Sequence, residues 1–162
     1  MKAVLMSIQP KWCELIANGK KTVEVRKTKP KLETPFKVYI YCTKGETIYL
    51  PRDIFGNNAL NGKVIGEFVC DKVEQGHILW VKEQTEYYDK VDEKTQLTYR
   101  QMLDYLGEKG IGCFWHISDL VIYDKPKELI EFQKSPRKLP FDALTRPPQS
   151  WCYVERSDNN DE

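Results

Sequence analysis

The stretch NGKKTVEVRK contains polar residues at a spacing that can build one wall of a binding site. Successive side chains of a β-strand point to opposite faces, so Val23 and Val25 would face a core. Thr22, Glu24 and Arg26 would form a polar row on the other face. Arginine offers a planar fork for a phosphate or a base edge, and glutamate offers an acceptor for an exocyclic amine. The row is either a wall of a polar pocket or an ordinary solvated sheet face.

A strand and a helix precede this row and would position it. The residues KAVLMSI favour a strand, and PKWCELIANG favours a helix with Pro10 in its first turn. Trp12, Leu15 and Ile16 share one face of that helix. Gly19 supplies the stop signal, because glycine adopts the left-handed conformation without steric cost. The polar row therefore begins directly after the predicted end of a helix.

The rest of the sequence predicts further short strands and one more helix. LTYRQMLDYLGEKG indicates a helix that begins at a capping box of Thr98 and Gln101. Asn61-Gly62 is a turn signal before a strand from about Val64 to Val73. Strands are also predicted at FKVYIYCT, whose hydrophobic run indicates burial on both faces, at GCFWHISDLVIYD and at RPPQSWCYVE, while KELIEF is a short additional element. These elements predict an α+β domain built round a curled mixed sheet or small β-barrel, with two main helices.

The chain length of 162 residues suits one domain with a substantial core. We expect that domain to span residues 1–155 and to be followed by a disordered acidic tail, residues 156–162. Apolar runs are too short for a membrane span, and Lys20 and Lys21 interrupt the first apolar stretch, which argues against a signal peptide. A cytoplasmic protein that does not enter the membrane is the expectation.

Cysteine and histidine spacing predicts no metal site. The five cysteines are widely separated and form no CxxC pair, and the two histidines lie far apart in the sequence. Zinc sites and disulfide frameworks need closer spacing. We therefore expect reduced, mostly buried thiols at Cys13, Cys42, Cys70, Cys113 and Cys152, with no metal and no cofactor.

Charge is distributed unevenly along a chain whose formal net charge is only +1. Residues 1–63 hold 12 Lys and Arg against 5 Asp and Glu, a net charge of +7, and residues 64–162 carry a net charge of −6. A basic half of this kind is compatible with a polyanionic ligand such as RNA or DNA. Runs of charge also occur on faces that are merely solvated.

The order S-I-x-P…W…L-I-x-x-G-K-K-T-x-E-x-R in the first thirty residues resembles the ASCH domain, a branch of the PUA-like superfamily of small β-barrels associated with RNA. The resemblance extends over roughly residues 1–125. It implies that Lys21, Glu24 and Arg26 point into a polar cleft. The alternative is an internal ion pair of Glu24 with Arg26 or with Lys21 on an exposed sheet face.

One enzymatic branch of this family is similar to amidohydrolases that remove an acyl group from a modified cytidine. The resemblance implies three catalytic positions: a lysine after the glycine turn, a threonine nucleophile on the next strand and a glutamate before the second helix. Lys21 matches the first position and Glu93 the third, whereas Glu24 stands at the position of the nucleophile. A carboxylate cannot simply replace an activated hydroxyl.

Aromatic and polar residues outside this motif complete the candidate nucleic-acid site. Trp12, Tyr39, Tyr41, Trp80, Phe114, Trp115 and Trp151 include possible base-stacking platforms, although most aromatic residues of this kind belong to a core. Trp151 is the preferred platform, because it follows Arg146, the Pro147-Pro148 turn and Gln149. The full set predicted to bind nucleic acid is Ser7, Gln9, Lys21, Glu24, Arg26, Lys29, Lys31, Arg146, Gln149 and Trp151.

Three functions remain open at this point. The first is binding of RNA or a nucleotide-like small molecule in a polar cleft. The second is hydrolysis of a modified nucleoside or of RNA, with Lys21 and Glu93 as acid–base groups. The third is a protein-interaction module whose pocket is vestigial. The sequence identifies no protein partner.

Overall fold

The computed structural model describes residues 1–45, 60–78 and 88–156. Their strands are β1 (Lys2–Ile8), β2 (Val23–Arg26), β3 (Phe36–Cys42), β4 (Lys63–His77), β5 (Ile111–Lys127) and β6 (Trp151–Glu155). The α-helices in this part of the chain are α1 (Pro10–Ala17) and α2 (Tyr99–Leu106), and a short 3-10 helix spans Leu129–Glu131.

The strands form one six-stranded mixed sheet in the order β2-β5-β4-β3-β1-β6. The pair β1 and β3 is parallel, and the other neighbouring pairs are antiparallel. Irregularities interrupt the register between β4 and β5, and bulges of this kind increase the bend and twist of a sheet. The described strands leave β2 and β6 at opposite edges, so the sheet is curled but does not close into a barrel. The predicted α+β class and curled mixed sheet are confirmed.

Both faces of the central strands are buried. Val4, Met6 and Ile8 on β1 pack beneath α1, in a cluster that also contains the α1 residues Cys13 and Ile16. The opposite face carries Ala3, Leu5, Tyr39, Tyr41, Leu129, Phe132, Leu144 and Val154. The continuous apolar run FKVYIYCT of β3 therefore has the two-sided burial expected of it.

Local signals decide where both helices begin and end. Pro10 occupies the first turn of α1, and Gly19, with φ of +81°, follows its end in the left-handed region. Thr98 accepts a hydrogen bond from the amide of Gln101 and the Gln101 side chain accepts one from the amide of Thr98, which completes the predicted capping box of α2. These two helix starts agree with the sequence prediction.

Five free cysteines lie within the described residues, four of them buried and Cys152 half-buried. The described residues contain no helix with both the length and the apolar character needed to cross a membrane. Residues 157–162 of the predicted tail and the predicted aromatic candidate Trp80 lie outside the described residues. The amide of Arg156 donates a hydrogen bond to the Met1 carbonyl at 2.7 Å.

Candidate functional site

A cleft of about 660 Å³ opens where the ends of several elements meet. Its lining comes from the end of β1, the first turn of α1, β2, one side of α2 and the residues before β6. The lining residues are Ser7, Ile8, Gln9, Lys11, Trp12, Glu24, Val25, Arg26, Thr43, Leu97, Gln101, Asp104, Tyr105, Gln149 and Ser150. Its size falls within the usual range for small-molecule sites of ~300–1,000 Å³.

Three charged side chains are packed together on the β2 side of the cleft. Lys21, Glu24 and Arg26 are only 1%, 4% and 8% exposed. Oε1 of Glu24 accepts a hydrogen bond from Nη1 of Arg26, and Oε2 of Glu24 lies 3.3 Å from Nζ of Lys21. One carboxylate therefore serves two cations, and the group, which we call the Lys–Glu–Arg triad, carries a net positive charge.

Both ion pairs considered for this strand are present, but they are buried rather than exposed. All four residues of β2 are buried, whereas Thr22, the first member of the predicted polar row, is exposed. The backbone amides of Thr22 and Val23 both donate to the Lys94 carbonyl, so the segment before α2 covers this edge strand. An exposed sheet face at Glu24 and Arg26 is thus the wrong interpretation.

Arg26 connects β2 to the end of β1. Its Nη2 donates to the Ser7 carbonyl at 2.7 Å and its Nη1 to the Val25 carbonyl at 2.8 Å. Nε of Arg26 is buried without a hydrogen-bond partner in the described part of the protein, whereas Oε2 of Glu24 is ion-paired with Lys21. A buried donor without a partner costs about 1–3 kcal/mol. The wall therefore retains unused hydrogen-bonding capacity beside a cleft.

Lys21 contacts the cleft residues Trp12 and Glu24 without lining the cleft itself. Its Nζ donates to the Thr95 carbonyl at 2.5 Å and lies 5.3 Å from the centroid of the Trp12 ring. Burial lowers the pKa of Lys21, and the neighbouring Glu24 opposes that shift. The predicted acid–base residue Glu93 is on an exposed turn outside the cleft lining, and its neighbour Asp92 has a smaller effect on the pKa of Lys21 than Glu24 has.

Ser7, Gln9 and Gln149 all line the cleft, as expected from their positions beside its opening. Ser7 also holds the segment before β6 in place: its hydroxyl donates to the Pro148 carbonyl at 2.6 Å, and its amide donates to the Ser150 carbonyl at 2.9 Å. The Ser7 hydroxyl thus has a structural partner. Gln9 and Gln149 are exposed at the cleft surface.

The other predicted binding residues lie away from the cleft lining. Trp151 donates from Nε1 to Oγ1 of Thr28 at 3.1 Å, and its ring lies 5.9 Å from the ring of Trp115. Arg146, Lys29 and Lys31 are exposed and do not line the cleft. Trp151 is accordingly a half-buried packing residue whose indole has a protein partner.

The sequence interpretation missed the α2 wall of the cleft. Gln101, Asp104 and Tyr105 line it, and their i, i+3, i+4 spacing places them on one helical stripe. This spacing can be seen in the sequence, but the sequence interpretation considered only the apolar, core-facing stripe of the same helix. Trp12 of α1, one of several aromatic candidates in the sequence, also lines the cleft.

A second cavity of about 330 Å³ lies on the other side of α2. Val23, Ile78, Met102, Phe114 and Tyr99 supply apolar lining, and its polar lining is Glu74, His77, Asp92, Lys94, Thr95 and His116. Nε2 of His116 lies 2.9 Å from Oε2 of Glu74. Oδ2 of Asp92 accepts a hydrogen bond from the amide of Thr95 at 2.8 Å in the same lining.

Comparison with solved structures gives the same fold as an ASCH protein from Zymomonas mobilis. That protein superposes with a TM-score of 0.62 at 20% identity, covering 95% of this chain and 88% of that chain. Two point variants of the same protein give TM-scores of 0.63 and 0.64 at 20% and 21% identity, covering 96% and 95% of this chain and 92% and 89% of theirs.

Sequence comparison supplies the family. No curated protein matches the chain. The sequence model of the ASCH domain matches residues 6–137, which include the whole of the Lys–Glu–Arg triad and most of the cleft lining. This chain therefore belongs to the ASCH domain family.

Proposed function

We propose that this protein binds RNA or a nucleotide-like small molecule in the main cleft. The observation that carries the proposal is the buried, net positive Lys–Glu–Arg triad beside a cleft of about 660 Å³ that has an aromatic residue on each of two walls. The ASCH family is generally thought to bind RNA, which agrees with this proposal.

The two aromatic residues come from different helices. Trp12 lies in the first turn of α1, and Tyr105, 40% exposed, lies near the end of α2. Each has a lysine beside its ring: Nζ of Lys11 is 4.3 Å from the Trp12 ring centroid, and Nζ of Lys27 is 5.3 Å from that of Tyr105. Aromatic side chains next to cations are suited to unpaired nucleotides, because bases stack on the rings and phosphates contact the cations.

The cleft also has a hydrogen-bond donor on one wall and an acceptor on another. Arg26 supplies donors on the β2 wall, and Asp104 supplies an acceptor on the α2 wall. Donors of this kind can contact a phosphate, and acceptors of this kind can contact the edge of an unpaired base, which in duplex RNA is largely inaccessible to side chains. The cleft is therefore better suited to a single-stranded segment or a free nucleotide than to a duplex.

Hydrolysis of an acylated cytidine is less favoured than binding. The reaction would need the Lys21 amine to reach the substrate, but that amine is bonded to the Thr95 carbonyl, and Lys21 is 1% exposed. No hydroxyl occupies the nucleophile position, where Glu24 stands. We expect no release of acetate from an acetylated cytidine, and Lys21-dependent release would favour the hydrolase.

Fluorescence anisotropy with several short single-stranded RNAs at two salt concentrations tests the binding proposal. We expect binding that weakens as salt rises, because phosphate contacts release counterions. Reversal of the exposed Lys29 and Lys31 to Glu should weaken all RNAs to a similar degree, since phosphates carry no sequence information. The matched control reverses Lys125 on β5 and Lys138 after the 3-10 helix, two lysines that are also exposed but do not belong to the segment that follows β2.

The same titrations also distinguish ligand binding from the protein-interaction module. If the wild-type protein binds none of the RNAs even at low salt, and binds no free nucleoside or nucleotide, the binding proposal fails. The protein-interaction module would then take its place. Equal losses in the two double-reversal variants would instead mean that RNA binds through overall charge and not around this cleft.

A further inference from the structure

The first turn of α1 faces the main cleft with an uncapped end. Gln9, Lys11 and Trp12 all line the cleft, and the side chain of the N-cap residue Gln9 makes no capping hydrogen bond. Pro10 has no amide hydrogen, and the amide of Trp12 donates to the Gln9 carbonyl at 3.0 Å. An uncapped helix start attracts anions, because its free amides and the helix dipole both favour negative charge.

A second and independent feature of the same cleft points to an anion. Arg26, 8% exposed, lines the cleft from β2, and its Nε has no hydrogen-bond partner among the residues that the structure describes. Its Nη atoms donate to Glu24, Val25 and Ser7, which fix the guanidinium plane. Arginine held in this way offers its remaining N–H groups in a geometry suited to phosphate oxygens.

The two ends of the cleft differ in charge. At the α1 and β2 end, Lys11 adds to the net positive triad in which Glu24 is already shared by Lys21 and Arg26. At the α2 end, the negative charge of Asp104 offsets the positive charge of Lys27 beside the Tyr105 ring, so this end is closer to neutral. A ligand with an anionic end and a hydrogen-bonding planar end fits this polarity in one orientation.

We propose that the start of α1, together with Lys11 and Arg26, is a phosphate subsite, so that the ligand of the cleft is a phosphorylated nucleotide and not a nucleoside. The inference rests on the proposed function and adds the orientation: the phosphate lies between Lys11 and Arg26, and the base points towards Tyr105. The phosphate has two possible sources, the monoester of a free nucleotide and a diester or terminal phosphate of an RNA strand.

Isothermal titration of the full chain with matched ligands tests this subsite. The probes are the four ribonucleosides, their 5′- and 3′-monophosphates, and dinucleotides with and without a terminal phosphate. We expect at least one monophosphate or dinucleotide to bind about tenfold or more tightly than its nucleoside, as charge-assisted hydrogen bonds imply. A preference for monophosphates identifies a free nucleotide as the source, and a preference for dinucleotides identifies an RNA strand.

Two lysines of the same region provide a matched pair of variants. Lys11→Gln should weaken the phosphorylated ligand several-fold and weaken the nucleoside much less, because Lys11 lines the phosphate end. Lys20→Gln removes the same charge from the exposed turn after α1, outside the cleft, and should have no effect. Equal effects of the two substitutions would overturn the subsite.

A second pair of variants acts on the helix start without touching buried charge. Gln9→Asp places a carboxylate where the phosphate is expected and also caps α1, so the fold is retained while phosphorylated ligands are lost. Gln9→Asn supplies a similar cap without charge, so it should bind phosphorylated ligands more tightly than Gln9→Asp does.

If nucleosides bind the wild-type protein as tightly as their phosphates, the subsite is wrong while the binding proposal stands. If no nucleoside, nucleotide or RNA binds, both are wrong.

Discussion

The Nζ atom of Lys21 lies 3.3 Å from Oε2 of Glu24, and both side chains are almost completely withdrawn from solvent. Because Arg26 bonds the other oxygen of the same carboxylate, Glu24 neutralises part of the charge of two buried cations. A buried cation without its partner is costly, whereas the paired group is tolerated. Glu24 thus holds together the β2 wall of the cleft.

Substitution of Glu24 tests this role. Glu24→Gln keeps the size of the side chain but leaves Lys21 and Arg26 buried without a counter-charge, and we expect a loss of about 3–5 kcal/mol in the free energy of unfolding. Urea unfolding monitored by circular dichroism measures it. The control is Glu14→Gln, on the exposed side of α1, where a change of about 0.5 kcal/mol or less is expected. Similar losses in both variants would contradict the shared-carboxylate role.

Much of the fold follows from local signals in the sequence. The start of α1 at Pro10 and the capping box of Thr98 and Gln101 involve residues within a few positions of each other. The alternation in β2 correctly placed Val23 and Val25 in the interior. Local signals of this kind do not depend on which distant segment packs against the element, so the folded structure agrees with them.

The burial of the charged residues could not be predicted in the same way. Lys21 is covered because its amine reaches the Thr95 carbonyl, 74 positions further along the chain. The amides of Thr22 and Val23 are bonded to Lys94 from the same distant segment. The alternation of apolar and polar residues in β2 does not indicate that a distant segment packs over them. The choice between an exposed ion pair and a buried triad therefore required the tertiary structure.

A close approach of two strands gives a prediction about stability. Gly66 lies at an irregularity between β4 and β5, where an added methyl group would overlap the Val121 carbonyl and lie 3.1 Å from Cα of Ile122. We expect Gly66→Ala to lower the free energy of unfolding by about 1–3 kcal/mol, because backbone must move to make room. Denaturant unfolding checks the value.

A second glycine of β4 is the control for that experiment. A methyl group on Gly76 would have no heavy atom of the described residues within 4 Å, apart from those of its two chain neighbours. Gly76→Ala should therefore be neutral or stabilising by up to about 1 kcal/mol, since alanine restricts the unfolded chain. Destabilisation of the same size at Gly66 and Gly76 would show that strand propensity, and not the close approach, decides the result.

The pair of Glu74 and His116 gives a prediction about pH. Hydrogen bonds from Lys72 and then from His116 lower the pKa of Glu74 from 4.5 to about 2. A carboxyl group with a lowered pKa in the folded state contributes stability above about pH 4.5 and loses it as the pH falls towards 2. Because Glu74 is exposed, we expect the contribution to be below about 1 kcal/mol.

Thermal unfolding of the wild-type protein and of Glu74→Gln at pH 6 and pH 3 measures this contribution. The wild type should have the higher Tm at pH 6, and the difference should shrink at pH 3, because the carboxylate then becomes partly protonated. Addition of 1 M salt at pH 6 should also reduce the difference, since exposed ion pairs are screened. A difference that does not change with pH would exclude the ion pairs as its origin.

Two tryptophans separate ligand binding from stability. Trp12 lines the cleft, whereas Trp151 packs on Trp115 and bonds Thr28. We expect Trp12→Ala to weaken RNA or nucleotide binding by about 1–3 kcal/mol, the usual value for loss of one stacking ring. Trp12→Phe is the matched control and should retain most of the binding, because it keeps an aromatic face.

Trp151→Ala should instead lower the free energy of unfolding by about 3 kcal/mol through lost packing, with unchanged affinity in the fraction that remains folded. Anisotropy titrations and urea unfolding of all three variants at one temperature measure both quantities. Loss of binding in Trp151→Ala at wild-type stability would identify Trp151, and not Trp12, as the stacking residue.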